Sequence, residues 1–379
     1  MEKILFVTND FGPRAGGIET LLIGFIEHLP KNRVVVYTSS QGDTSDYDAQ
    51  WMKNFGVRVV RDKAKILLPT PRVARAVAHL AQSCGATVAC FGTAAPLGIL
   101  AKTLRKAGVK RIVALTMGHE VWWVKVPPFS WAIRYIGNSV DALTYLADFT
   151  RVAISQGLSK QAADAMVKIA PGIDTAHFNT DVDSKKLRAE LSLTDKAVIV
   201  SVGRLVHRKG QDKLVAALPQ ILAAIPNAHL LLVGQGPHRE QLESIAAKCG
   251  VTDSITFAGR VPYERLPEYI RVGDIFAMPS RDRLFGLEVE GLGIVYLEAS
   301  ACGLPVVVGN SGGAPDALVP NITGILVDGT NIDEIAQACI ALLADLDRAA
   351  AMGAAGKQWI HDAWSWSYWS GEFERVLQI

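Results

Sequence analysis

The sequence predicts an α/β fold: two doubly wound, Rossmann-like parallel-sheet domains facing a cleft. Three observations carry the expectation. Short unbroken runs of Val, Ile and Leu alternate with longer helix-patterned segments along the whole chain, the pattern of parallel sheets covered on both faces. The length of 379 residues exceeds one ordinary core and suits two. A Pro-Gly turn followed by polar residues, Ala170–Asn179, offers a connector near the middle.

In the first half, strands are expected at Ile4–Thr8, Val34–Thr38, Val57–Arg61, Thr87–Phe91 and Arg111–Thr116. In the second half they are expected at Ala197–Val202, His229–Val233, Ser254–Phe257, Ile275–Met278, Pro305–Val308 and Gly324–Val327. Helical spacing falls between them at Gly17–Leu29, Gln211–Ile225, Arg239–Lys248 and Ile332–Ala344. The domains are read as 1–169 and 170–363. The tryptophan-rich segment 364–379 is expected to pack back on the first domain. Ligands of open parallel sheets bind at the carboxyl ends of the strands, so the loops there are where chemistry should sit.

Composition narrows the function classes. Hydrophobic residues make up 49% and charged residues 20%, which fits a packed globular chain. A net charge of +2 gives no argument for nucleic acid. Five cysteines without CxxC spacing suit a reduced chain. No signal-peptide pattern or spanning run is seen, so the expectation is a cytoplasmic protein that meets membranes only at their surface.

The most informative stretch is Glu290-Gly-Leu-Gly-Ile-Val-Tyr-Leu-Glu298. Two carboxylates flank a Gly-Leu-Gly turn that opens an apolar helix. Backbone N–H groups at such a turn are an anion site, and the flanking carboxylates can hold hydroxyl groups on either side. Arg204 and Lys209 share one loop beyond a strand, where two cations suit a diphosphate; the plainer reading is a solvated basic loop. Gly16 and Gly17 open the first helix and would let a ligand near the backbone, or they merely form a tight turn. The GxGxxG pattern is absent there, which disfavours a nicotinamide cofactor. His119 follows a strand end and could bond a sugar hydroxyl or serve as a structural histidine. Glu120 beside it is either a helix cap or a ligand. Backbone at Arg260 and Val261 could read the edge of a base. Two Asp-x-Asp matches, Asp181-Val-Asp183 and Asp345-Leu-Asp347, do not follow strands, so no metal site is expected.

Together these motifs resemble the GT-B retaining glycosyltransferases of family 4, across essentially the whole chain. Glu290 and Glu298 match the family's E-x7-E motif, Arg204 and Lys209 its R-x4-K pair, and Gly16-Gly17 its N-terminal glycine loop. The runs Val206–Asp212, Asp274–Pro279, Val289–Ala299 and Gly309–Pro315 are similar to the actinobacterial branch that builds phosphatidylinositol mannosides. So are Met352–Gly356 and Trp364–Trp366. That resemblance implies a GDP-mannose donor and a phosphatidylinositol monomannoside acceptor, with the second mannose added in an α-1,6 link at the cytoplasmic membrane face. It implies roles for single residues. Arg204 and Lys209 would hold the diphosphate, Glu298 the ribose and Glu290 the mannose. Gly293, Ile294 and Val295 would meet the β-phosphate and sugar, Val261 the guanine, and His119 the mannose at the reacting centre. It implies no required cofactor or metal, and no protein nucleophile.

Three departures stand on the acceptor side. Met117 replaces a histidine of the usual Thr-His-Gly-His run, His207 replaces a proline, and Asp282–Glu288 is bulkier than the family's small-residue loop. The alternatives left open are a family 4 enzyme using another nucleotide sugar or a non-lipid acceptor, and a non-hydrolysing nucleotide-sugar epimerase. An anionic membrane surface is the expected partner. It would be met by Lys102, Arg105, Lys106, Lys110 and Arg111, or by Lys63, Lys65, Arg72 and Arg75 around Ile66–Pro71; an ordinary solvated face is the plainer reading of both.

Overall fold

A computed structural model describes residues 2–13 and 17–379. The chain divides into two compact units, Met1–Gly172 with Trp366–Ile379, and Ile173–Ser365.

The first unit holds β1 (Lys3–Thr8), β2 (Val34–Thr38), β3 (Arg58–Arg61), β4 (Ala86–Phe91), β5 (Arg111–Ala114), β6 (Ala142–Tyr145) and β7 (Met166–Lys168). They form one seven-stranded sheet in the order β3-β2-β1-β4-β5-β6-β7. Every pairing is parallel, with Phe6 beside Val36 on one side and Cys90 on the other. Central strands buried on both faces need continuous apolar runs, and β2 reads Val-Val-Val-Tyr-Thr with every residue buried. The segment Trp366–Leu377 is a helix that completes this unit's core. Its Phe373 packs on Phe25 at 4.5 Å and on Phe6 at 6.2 Å between ring centroids. Trp366 lies over Gly24, where a β-carbon would stand 2.1 Å from the indole. Arg111 at the start of β5 donates to the Val376 carbonyl.

The second unit holds β8 (Ala197–Val202), β9 (Ala228–Val233), β10 (Ile255–Gly259), β11 (Ile275–Met278), β12 (Val306–Gly309) and β13 (Gly324–Val327). Their order is β10-β9-β8-β11-β12-β13, again all parallel. The chain runs outward from β8 to β9 and β10, then restarts on the far side of β8 at β11. Loops leaving β8 and β11 therefore part from each other, and the crevice so opened is where doubly wound sheets bind ligands. In the first unit the same reversal lies between β1 and β4.

Among the described residues no helix is long and apolar enough to cross a membrane.

Candidate active site

In the second unit the β8 loop supplies Arg204, Arg208 and Lys209. Beyond β8 the chain makes a 3-10 turn at His207–Lys209, then enters the helix Gln211–Ala224. The loop after β11 supplies Glu290, and the helix Ile294–Ala301 follows it. These loops converge on one carboxylate. Glu290 is 6% exposed, and its Oε2 receives Lys209 Nζ at 2.7 Å and Arg208 Nη1 at 2.7 Å. Burial works to raise the Glu290 carboxyl, but the charges of Lys209 and Arg208 outweigh it and hold the group below its usual value. Its backbone is fixed as well: the Glu290 N–H donates to Ser311 Oγ, and the Glu290 carbonyl accepts from Gly313 N–H at 2.8 Å.

Arg204 is placed differently. Its side chain is exposed beyond β8, while its carbonyl accepts from the Gln211 amide at 3.4 Å. Beside it, Leu205, Gly234, Gln235, Gly236, Gly259 and Arg260 contribute to the lining of a pocket of about 470 Å³ at the ends of β8, β9 and β10. Val261 follows Arg260 and is half-buried.

Gly293 caps the helix Ile294–Ala301 with φ 79° and ψ 62°. A side chain there would be strained, and a β-carbon would stand 2.4 Å from the Tyr296 ring. The left-handed turn leaves the N–H groups of Gly293, Ile294 and Val295 at the helix start, the arrangement that favours an anion. Tyr296 is fully buried beneath the turn and donates to the Met278 carbonyl at 2.7 Å. One turn further, Glu298 is 7% exposed. Burial alone pushes its carboxyl up to about 7. The two glutamates of one motif therefore sit in opposite electrostatic settings.

In each Asp-x-Asp match one carboxylate bonds nearby backbone. Asp183 accepts from Lys185 N–H, and Asp345 caps the helix Leu346–Ala363 by accepting from Arg348 N–H.

In the first unit, His119 follows β5 and starts the helix Glu120–Lys125. Its Nε2 lies 3.5 Å from the Ala95 carbonyl and 3.4 Å from Glu120 Oε1. Ala95 stands in the loop after β4, so His119 is drawn toward the reversal between β1 and β4. Glu120 is fully buried, and its Oε2 accepts from Met117 N–H at 2.9 Å. That bond ties the carboxylate to the loop before the helix and does not cap the helix itself. Gly17 is exposed at the start of the helix Gly17–His28, and a β-carbon on it would meet nothing within 4 Å. Gly16 lies outside the described residues.

Residues 183–359 match the family model of glycosyl transferases group 1. The GDP-mannose-dependent alpha-(1-6)-phosphatidylinositol monomannoside mannosyltransferase of Mycolicibacterium smegmatis is 44% identical, over 96% of this chain and 95% of its own. The chain belongs to the group 1 glycosyl transferases. The GDP-mannose-dependent monoacylated alpha-(1-6)-phosphatidylinositol monomannoside mannosyltransferase of Corynebacterium glutamicum is 39% identical, over 99% of this chain and 98% of its own. Among solved structures, Anabaena Alr3699/HepE in complex with UDP superposes with a TM-score of 0.82 at 20% identity, over 99% of each chain. Sucrose-phosphate synthase from Thermosynechococcus elongatus gives 0.79 at 21% identity, over 100% of this chain and 98% of its own. These likenesses show the fold, which is GT-B.

For this glycosyltransferase the sequence motifs omitted Arg208. The R-x4-K spacing counts it as filler, yet it makes the same contact to Glu290 that Lys209 makes. A third cation in a loop already holding two was the available signal.

Proposed function

We propose that the protein is a retaining mannosyltransferase. It moves mannose from GDP-mannose to phosphatidylinositol monomannoside, adding the second mannose in an α-1,6 link. The observation that carries this reading is the 44% identity, over nearly the full length of both chains, to a relative named for that donor and acceptor. The site geometry supports a nucleotide-sugar donor. Exposed Arg204, Lys209 and the Gly293–Val295 turn would take the diphosphate. Glu298 would accept from the ribose hydroxyls and Glu290 from those of mannose. The pocket beside Val261 would hold the guanine, and His119, with the glycine loop at Gly16 and Gly17, would serve the sugar and acceptor.

In this mechanism the acceptor hydroxyl attacks on the face the diphosphate is leaving. The departing phosphate oxygen takes the hydroxyl proton. The protein contributes position and electrostatics: two cations and helix N–H groups meet the charge that develops on the diphosphate. The cations of the chain itself would meet that charge, so no metal is required in this reading.

The acceptor reading asks for contact with an anionic membrane surface. From Leu97 to Val140 the chain has seven cations and one carboxylate, Glu120, and that carboxylate is buried. On the helix Phe129–Gly137, Trp131 is 72% exposed and shares a face with Arg134 and Tyr135. Lys102 Nζ lies 4.6 Å from the centre of the Tyr135 ring. Exposed tryptophan, tyrosine and cations on one face suit a headgroup layer. Arg105 is paired with Asp141 and Arg111 with the Val376 carbonyl, which leaves Lys102, Lys106 and Lys110 facing outward. In the other basic stretch, Asp62 holds Arg72 at 2.8 Å.

The test is incubation with a panel of nucleotide sugars and a membrane lipid extract, followed by mass spectrometry of the lipids. Addition of one hexose from GDP-mannose to phosphatidylinositol monomannoside is expected. Transfer from UDP-glucose and not from GDP-mannose would overturn the donor.

A further inference from the structure

Two cations stand on one oxygen of Glu290, although a single cation is enough to balance one carboxylate. Lys209 Nζ and Arg208 Nη1 both lie 2.7 Å from Oε2. A donor diphosphate arriving at the helix turn would compete for the Lys209 ammonium, and a buried Glu290 deprived of every cation would be a strongly disfavoured state. The two side chains differ in how they are held. Lys209 ends in a point charge on a flexible stem that can change partners.

Arg208 is braced. Its carbonyl accepts from Arg281 N–H at 2.8 Å, and the Arg281 guanidinium is clamped by both oxygens of Asp212 at 2.8 Å. Its Nε lies 3.9 Å from Glu288 Oε1, and Glu288 is itself bonded to Arg283 at 2.9 Å. Just after Lys209 the backbone turns left-handed at Gly210, φ 73°, where a β-carbon would stand 1.8 Å from the Pro279 carbonyl. The loop is thus pinned on both sides of the pair.

We propose that Arg208 is a positioning residue that keeps Glu290 charged and oriented while Lys209 transfers from Glu290 to the donor diphosphate. The inference rests on the reading of Lys209 as a phosphate ligand and Glu290 as a sugar ligand. Before the donor binds, the carboxylate holds the ammonium ready and keeps the pair compensated. After it binds, the cations divide: Lys209 serves phosphate, and Arg208 serves the carboxylate that accepts the sugar hydroxyls.

The experiment compares full-length wild type with Arg208→Gln, Arg208→Lys, Lys209→Ala and Glu290→Gln. GDP affinity is measured by calorimetry, and kcat and KM are measured with GDP-mannose. Arg208→Gln is expected to keep GDP affinity within about threefold of wild type while kcat/KM for GDP-mannose falls ~30-fold or more, as for loss of one charge-assisted contact made only with the sugar in place. Arg208→Lys should recover most of that loss, and a purely structural defect would not be recovered in this selective way. A fall in GDP affinity as large as that of Lys209→Ala would make Arg208 a phosphate ligand and overturn the proposal. So would an Arg208→Gln enzyme with wild-type kcat/KM. If Arg208→Gln does not fold, Arg208→Met takes its place, with the same split between GDP affinity and kcat/KM expected and wild-type kcat/KM overturning the proposal. Failure of the underlying reading looks different: Lys209→Ala would leave GDP affinity unchanged, or Glu290→Gln would leave kcat/KM unchanged.

Discussion

Replacing Glu298 by Gln keeps the side-chain shape and removes its charge. In the wild type, burial lifts this carboxyl from 4.5 to about 7. Between those values the folded chain holds a proton that the unfolded chain has released. The stabilisation is complete below pH 4.5 and is lost as pH rises to about 7, where the buried group ionises. At ~1.4 kcal/mol for each pH unit across that window, the loss is about 3 kcal/mol. Glu298→Gln cannot ionise and escapes it. Urea unfolding followed by circular dichroism between about pH 5 and pH 8 should therefore show wild-type stability falling more steeply than the variant, by about 3 kcal/mol over the range. If Glu298 accepts from the ribose hydroxyls as proposed, saturating GDP should narrow the gap, because such bonds to the ionised carboxylate lower its pKa. Parallel curves for the two proteins across the range would refute the reasoning.

His119→Ala should lower kcat more than GDP affinity, as expected for a group that meets the sugar; equal losses in kinetics and calorimetry would remove that role. Gly293→Ala places a side chain at φ 79° against the Tyr296 ring and should destabilise by about 2 kcal/mol or more, read as a shift in the urea midpoint. Trp131→Ala should weaken co-sedimentation with vesicles containing phosphatidylinositol roughly tenfold, the loss of one large aromatic from a headgroup layer. Unchanged vesicle binding would remove Trp131 from the proposed membrane contact.

The parts of the fold that could be read in advance are those with long apolar runs. The run Ala197–Val202 is observed with the boundaries its Val and Ile residues imply. Two strands were not legible. β6 mixes threonine and tyrosine into Ala142–Tyr145, and β7 is the three-residue Met166–Lys168. β6 pairs with β5, and β7 pairs with β6 at the edge of the sheet. Within the site, motif spacing selected Arg204, Lys209, Glu290 and Glu298 but carried no information about which of them touch. The bond between Arg208 and Glu290 spans 82 positions, and no local pattern encodes it. The turn of Leu284 and Phe285, left-handed at φ 51° and 56° at two residues that rarely adopt it, was equally hidden.

The helix Trp366–Leu377 closes the core of the first unit, while residues 173–365 form the second unit without interruption. During synthesis, β1 to β7 leave the ribosome long before the segment that covers Phe6 and Phe25. The second unit has all its residues first. The early-made sheet must therefore wait, with an apolar face uncovered, for the later-made half of the chain to be completed. The first unit, begun first, is thus the last to have all its parts synthesised.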